Sequence, residues 1–144
     1  MPYCIEGWVE ATTTPPSEQD QHSWMGILML GGIVDVADCV SERLFGLSKR
    51  CAKDPSMISA IAPRRGIPAN PSKELRADLQ THDASSGEVG GYTYITWEEM
   101  APLRPDLDGL LGSDWLLVYD LVERLAEDYR FSPGRLRVTV WYNW

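Results

Sequence analysis

Histidine is nearly absent from this chain: there are two, His22 and His82, and neither has another His or a Cys at ligand spacing, which argues against a metal site. Cysteine is sparse as well. Cys4, Cys39 and Cys51 are an odd number with no short spacing, so no disulfide framework is expected, and no basic amino-terminal region precedes a long apolar run. The most apolar stretch, Trp24 to Val34, is interrupted by Gly26, Gly31 and Gly32 and is too short to cross a bilayer as a helix. Together these absences predict a reduced, cytoplasmic protein with no membrane span. Positive charge is also in deficit: 13 basic against 21 acidic side chains give a net charge of −8, which opposes attraction to phosphate backbones and anionic lipid. Direct nucleic-acid binding is not expected, whereas a cationic protein partner suits the charge.

Six Trp and six Tyr stand against two Phe, so the chain relies on rings that carry a polar handle and favour half-buried positions. Its 144 residues match one domain spanning 1–144. Tyr3 to Ala11 reads as a first strand, and Ser23 to Val36 as a kinked strand or two short ones, because three glycines disfavour a helix. From Asp38 to Cys51, Val40, Leu44, Leu47 and Cys51 recur at spacings of four, three and four, which predicts a helix. Pro63 to Ser72 is a stiff proline loop, Ser72 starts a short helix with Leu75 and Leu79 on one face, and Thr81 to Gly91 reads as a polar loop. Thr96-Trp97-Glu98-Glu99 fits a capping box for a short helix that stops before Pro102. Ser113 to Arg130 predicts the longest helix, with an apolar stripe from Trp115 to Tyr129 and an Asp120–Arg124 pair opposite. Strict alternation from Arg135 to Trp144 predicts the last strand. The fold expected is α+β: a mainly antiparallel sheet containing both terminal strands, with helices packed on one face.

Chemistry-bearing constellations are few. No Gly-x-Gly-x-x-Gly, Walker-type loop or Gly-x-Ser-x-Gly elbow exists, and Gly31-Gly32 and Gly90-Gly91 read as a kink and a turn. Arg64 and Arg65 sit in the rigid proline loop, where two guanidinium forks suit an anionic ligand such as a nucleotide signal, unless an acidic neighbour such as Glu74 takes one of them. Glu99 is accounted for by helix capping, Glu98 by the helix dipole, Glu6 and Glu10 by one strand face, and Cys4 by a small buried strand position. If the terminal strands pair, Glu6, Trp8, Arg137 and Trp141 form an aromatic and charged patch, either open as a protein-docking surface or homodimer interface, or covered by a loop. No catalytic residue, metal or cofactor is assigned; an enzyme using Glu6 with Cys4 ranks last.

Five landmarks in order resemble a group of phage and bacterial proteins. These begin with a Met-Gly-Cys-Asp-Ile-His-like strand, here Met1-Pro2-Tyr3-Cys4-Ile5-Glu6. Arg43-Leu44-Phe45-Gly46-Leu47 follows, and then Pro63-Arg64-Arg65-Gly66-Ile67-Pro68 is similar to a Pro-Arg-Gly-Leu-Pro loop. Thr93-Tyr94-Ile95-Thr96-Trp97-Glu98-Glu99-Met100 is similar to a Ser-Trp-Leu-Thr-Leu-Glu-Glu-Leu segment, and Leu136 to Asn143 to a closing Val-Arg-Leu-Val-Phe-Trp-Phe-Asp-like strand. The resemblance implies a phage or mobile-element setting. It also implies that ionisable positions of the relatives are replaced here by Cys4, Glu6, Gly90, Gly91, Tyr92 and Asn143. The function expected is therefore stoichiometric binding to a host protein, with inhibition of a host defence as its most concrete form. Sequestration of a small anionic ligand and hydrolysis of an unassigned substrate are the alternatives.

Overall fold

The computed structural model describes residues 4–34, 39–46, 60–84 and 89–143. Four strands, β1 (Cys4–Ala11), β2 (Met25–Met29), β3 (Val89–Thr96) and β4 (Leu136–Asn143), form one antiparallel sheet in the order β2-β1-β4-β3. The terminal strands are central neighbours, with Glu6 opposite Trp141, Trp8 opposite Thr139 and Glu10 opposite Arg137. The α+β class and the pairing of both terminal strands are thus as expected.

Because side chains alternate across a sheet, Ile5, Val9, Leu136, Val138 and Val140 all project to one face, where they meet α1 (Cys39–Phe45), α3 (Trp97–Met100), α4 (Arg104–Leu107) and α5 (Ser113–Ala126). Trp115, Val118, Tyr119 and Val122 supply the buried stripe of α5. The helix ends at Ala126, so Tyr129 leaves the stripe and is 84% exposed. The Asp120–Arg124 pair is not made: Asp120 pairs with Arg104, and Arg124 with Glu127. Thr96 does open a helix, its N–H donating to the Glu99 carboxylate at 3.2 Å.

The second face is not bare. Helix α2 (Lys73–Ala84) lies across it, adding a layer to the one-sided packing expected. Its attachments are mostly polar: Glu74 accepts from the Gly26 N–H at 2.8 Å, Asp78 from the Trp8 indole at 2.7 Å, and Glu10 from the Ser72 N–H at 2.7 Å. The helix runs four residues past Gln80, and β3 begins where a polar loop was expected.

The expectation of a wholly reduced chain is corrected at Cys39, which is disulfide-bonded to a partner outside the described residues, while Cys4 is free. Sequence spacing carries no information on Cα separation, which decides whether two cysteines can join. The cytoplasmic expectation loses the support it drew from reduced thiols. No described helix is long and apolar enough to cross a membrane.

Candidate functional site

Glu6 and Trp8 alternate with core residues along β1 and so project toward α2; Arg137 and Trp141 do the same along β4. The structure brings all four to one face but does not leave them as an open patch. Arg137 is 6% exposed: its Nε donates to Glu10 at 2.9 Å, its two terminal nitrogens to the Ala69 and Asn70 carbonyls at 3.1 and 2.9 Å, and its guanidinium stacks 3.8 Å from the Trp24 ring centroid. Glu10 is fully buried and also accepts from Thr139 Oγ1 at 2.6 Å. The reason is steric as well as electrostatic, since the end of the proline loop and the start of α2 close over this half of the sheet. Arg137 is therefore a buried structural cation, and of the two alternatives the loop-covered one holds at that end.

At the other end of α2 the cover is incomplete. A cavity of about 380 Å³ opens there, lined by Glu6, Met29, Gly31, Gly32, Asp78, His82 and Trp141 together with the Gly7 backbone. Gly31 and Gly32 form a 3₁₀ turn after β2. A Cβ on Gly32 would meet nothing within 4 Å, and one on Gly31 only the Glu6 Cγ at 3.8 Å, so this wall is open.

Each carboxylate of the cavity is held by an indole. Trp141 Nε1 donates to Glu6 Oε2 at 2.9 Å, and Trp8 Nε1 to Asp78 Oδ2 at 2.7 Å. Among the described residues, Glu6 Oε1 and Asp78 Oδ1 have no hydrogen-bond partner and no Lys or Arg lines the cavity. His82 stands beside them, its Nδ1 2.8 Å from the Tyr92 hydroxyl and its ring edge-on to Trp141 with centroids 4.9 Å apart. The arrangement fixes two carboxylates in position, since a neutral N–H donor orients an oxygen without neutralising it. It presents negative charge beside an aromatic ring and a thioether, the environment suited to a cation on an apolar stem. The three ionisable groups share the cavity without converging on one point: among the described residues no group of three His, Cys, Asp or Glu side chains is placed to hold a metal ion.

Asp78 is not singled out by the sequence, and His82 is weighed there as a metal ligand and set aside as a residue of a polar loop. It is half-buried on α2. The signal was present in the spacing, because Glu74, Asp78 and His82 recur every four residues and so occupy one side of a helix.

Arg64 and Arg65 do not come together as an anion site. Arg65 donates both terminal nitrogens to Glu99, at 2.7 and 2.5 Å, and also reaches the Tyr94 and Ile61 carbonyls, both at 3.2 Å. This pairing holds the Glu99 carboxyl down at about 2 and raises the Arg65 guanidinium above its ordinary value. The partner is Glu99 rather than Glu74, whose carboxylate is taken by Gly26. Arg64 is exposed, with a left-handed backbone (φ 49°). The loop is stiff for a further reason: Gly66 N–H donates to the Tyr92 carbonyl at 2.9 Å and Arg65 N–H to Thr93 Oγ1 at 3.2 Å, which binds it to β3.

Comparison of the chain with protein-family models, curated proteins and solved structures finds no match.

Proposed function

We propose that this chain is a binding protein that acts stoichiometrically, taking a cationic side chain of a partner protein, an amine or guanidinium on its apolar stem, into the cavity beside α2. One observation carries this reading: Glu6 and Asp78 are each oriented by an indole N–H, and among the described residues each keeps an oxygen unpartnered and no Lys or Arg lines the cavity they share. Preorganised carboxylates lose little freedom when a donor fork arrives, and the chain's net charge of −8 draws basic partners toward it. The phage or mobile-element setting implied by the resemblance makes a host protein the expected partner, with inhibition of a defence component as the concrete case. Of the positions at which the resemblance implies a replaced ionisable group, Glu6 lines the cavity and Tyr92 lies against His82 in its wall.

The test uses the indole protons as reporters. Titration with n-butylguanidinium, followed by ¹H–¹⁵N NMR, is expected to shift the Nε1–H signals of Trp8 and Trp141 together while the other indoles stay in place. Glu6→Gln combined with Asp78→Asn is expected to abolish the response. Absence of any shift at millimolar concentration, or an undiminished shift in the double variant, overturns the proposal.

A second reading draws on a different feature of the cavity, the proximity of His82 to two carboxylates. That set can move protons, so hydrolysis is the alternative. Its signature is multiple turnover that stops in Glu6→Gln and in His82→Gln alike.

A further inference from the structure

The two edges of the sheet are treated differently. Alongside β3 the proline loop supplies a backbone hydrogen bond, Gly66 N–H to the Tyr92 carbonyl. Beside β2, among the described residues, the single attachment is the Glu74 carboxylate on the Gly26 N–H. Exposed edges in folded proteins are ordinarily blunted by Lys, Pro, inward-pointing charge, bulges or shortness; β2 is five residues long with a bulge at Ile27, but it carries none of the chemical guards. Here the whole run from Trp24 to Val34 contains no charged residue and no proline, and Met25, Ile27 and Met29 are 40%, 38% and 55% exposed.

Pockets of opposite chemistry flank this edge. Met29 lies opposite Trp8, on the α2 face, and lines the cavity that holds Glu6 and Asp78. Leu28 lies opposite Val9, on the α5 face, and with Ile27, Leu121, Leu125 and Phe131 lines a second cavity of about 300 Å³, apolar except for Arg124, whose guanidinium pairs with Glu127. Leu121 is itself 39% exposed. A strand laid beside β2 would send successive side chains alternately to these two faces.

We infer that β2 is a docking edge for an extended segment of a partner protein in which basic and apolar residues alternate, the backbone extending the sheet, the basic residues entering the carboxylate cavity and the apolar ones the α5 groove. This rests on the binding reading above and names the partner's chemistry. The commitment to an extended segment comes from an edge without charge or proline that carries one attachment among the described residues, and the alternating pattern from charge on one side and apolar walls on the other; main-chain pairing supplies affinity and alternate pockets supply selectivity in this mode.

The probe is a fluorescein-labelled ten-residue peptide alternating lysine and valine, measured by anisotropy against hexalysine at matched ionic strength. Two N-methylated versions, one blocking each alternate set of amides, test the pairing. The expected result is binding at least tenfold tighter than hexalysine, loss of binding in one methylated version only, and slowed hydrogen exchange at Ile27 to Met29. Equal binding of hexalysine, equal behaviour of the two methylated peptides, or no binding by any alternating peptide overturns the inference. The two proposals fail separately. If Glu6→Gln with Asp78→Asn leaves the peptide's affinity and edge protection intact, the cavity is not the cation site and the docking edge stands. If butylguanidinium shifts the indoles but no peptide protects β2, the edge proposal falls alone.

Discussion

Replacing Glu10 by Gln isolates the interaction that seats α2 on the sheet. The carboxylate is fully buried and accepts from Arg137 Nε at 2.9 Å, Thr139 Oγ1 at 2.6 Å and the Ser72 N–H at 2.7 Å. The amide can keep its oxygen toward Arg137 and Thr139, but it then turns an NH₂ toward the Ser72 N–H and leaves the guanidinium without a countercharge. Breaking a buried ion pair from one side costs about 3–5 kcal/mol; retention of one acceptor places this variant near the lower end, at about 3 kcal/mol. For a chain of 144 residues, each kcal/mol lowers Tm by about 3 °C, so a fall of about 9 °C is expected. Urea unfolding followed by Trp fluorescence measures the same loss at equilibrium. Adding Arg137→Met removes the orphaned charge, so the double variant is expected to lose less than the sum of the two single variants by about 2 kcal/mol. A Glu10→Gln variant within about 0.5 kcal/mol of the parent, or strict additivity in the cycle, would show that the network contributes nothing as a unit.

Two further outcomes concern the opposite side of the sheet and its bulge. Glu99 has its pKa lowered from 4.5 to about 2, first through its hydrogen bond to Arg65. Between those values the unfolded chain binds more protons, so the stability from this pair is complete above 4.5 and is lost as pH falls through about 2. Allowing for solvent screening of a partly exposed pair, the parent should lose about 1 kcal/mol more than Glu99→Gln between neutral pH and the acid end of that window. Parallel pH profiles of the urea midpoint would refute it. At Gly91 the backbone is left-handed (φ 70°), and a Cβ would lie 1.9 Å from Tyr142 Cε1. Gly91→Ala should therefore destabilise by about 2 kcal/mol or more, while Gly32→Ala, with nothing within 4 Å, should stay within about 0.5 kcal/mol; equal midpoints in a denaturant titration would refute this.

The parts of the fold legible in the sequence were those with a single periodicity and one buried face. Alternation in Leu136 to Asn143 and the stripe from Trp115 to Val122 both place their residues as read. The capping segment at Thr96 is equally local. β3 escaped because Gly90 and Gly91 interrupt its alternation with a register shift before Thr93, a tertiary accommodation to Tyr142 that no local pattern announces. For Arg137 the sequence left an open and a loop-covered position equally available, because its burial depends on Glu10, 127 residues away in sequence. The cavity was half legible. Glu6, Trp8 and Trp141 were placed on one face by alternation and Asp78 lay within the expected helix, but His82 required recognising that α2 continues through Ala84, where its composition turns polar.

That polarity has a structural consequence for the cavity. Where α5 is fastened by four large or branched side chains at 1% exposure or less, α2 contributes Leu75 as a fully buried apolar residue and otherwise rests on Glu74 and Asp78, which accept from the sheet, and on Glu10 of the sheet, which accepts from the Ser72 N–H just before the helix. Hydrophobic burial is indifferent to small rotations, whereas a hydrogen bond from an indole or a backbone N–H weakens steeply once its angle is lost. The helix is therefore held less by the quantity of surface it covers than by the direction of a few bonds. Two of those bonds connect directly to the proposed recognition elements: Asp78 is bound by Trp8, and Glu74 occupies the one guarded amide of β2. A cation entering beside Asp78 would strengthen the charge-assisted side of that carboxylate without displacing the indole, because the two use different oxygens. A strand arriving at β2 would meet Glu74 at Gly26 and find Ile27 to Met29 beyond it. The same helix thus sets both the charge of the cavity and the extent of the free edge, which gives a physical reason for the two features to occur at one corner of the sheet.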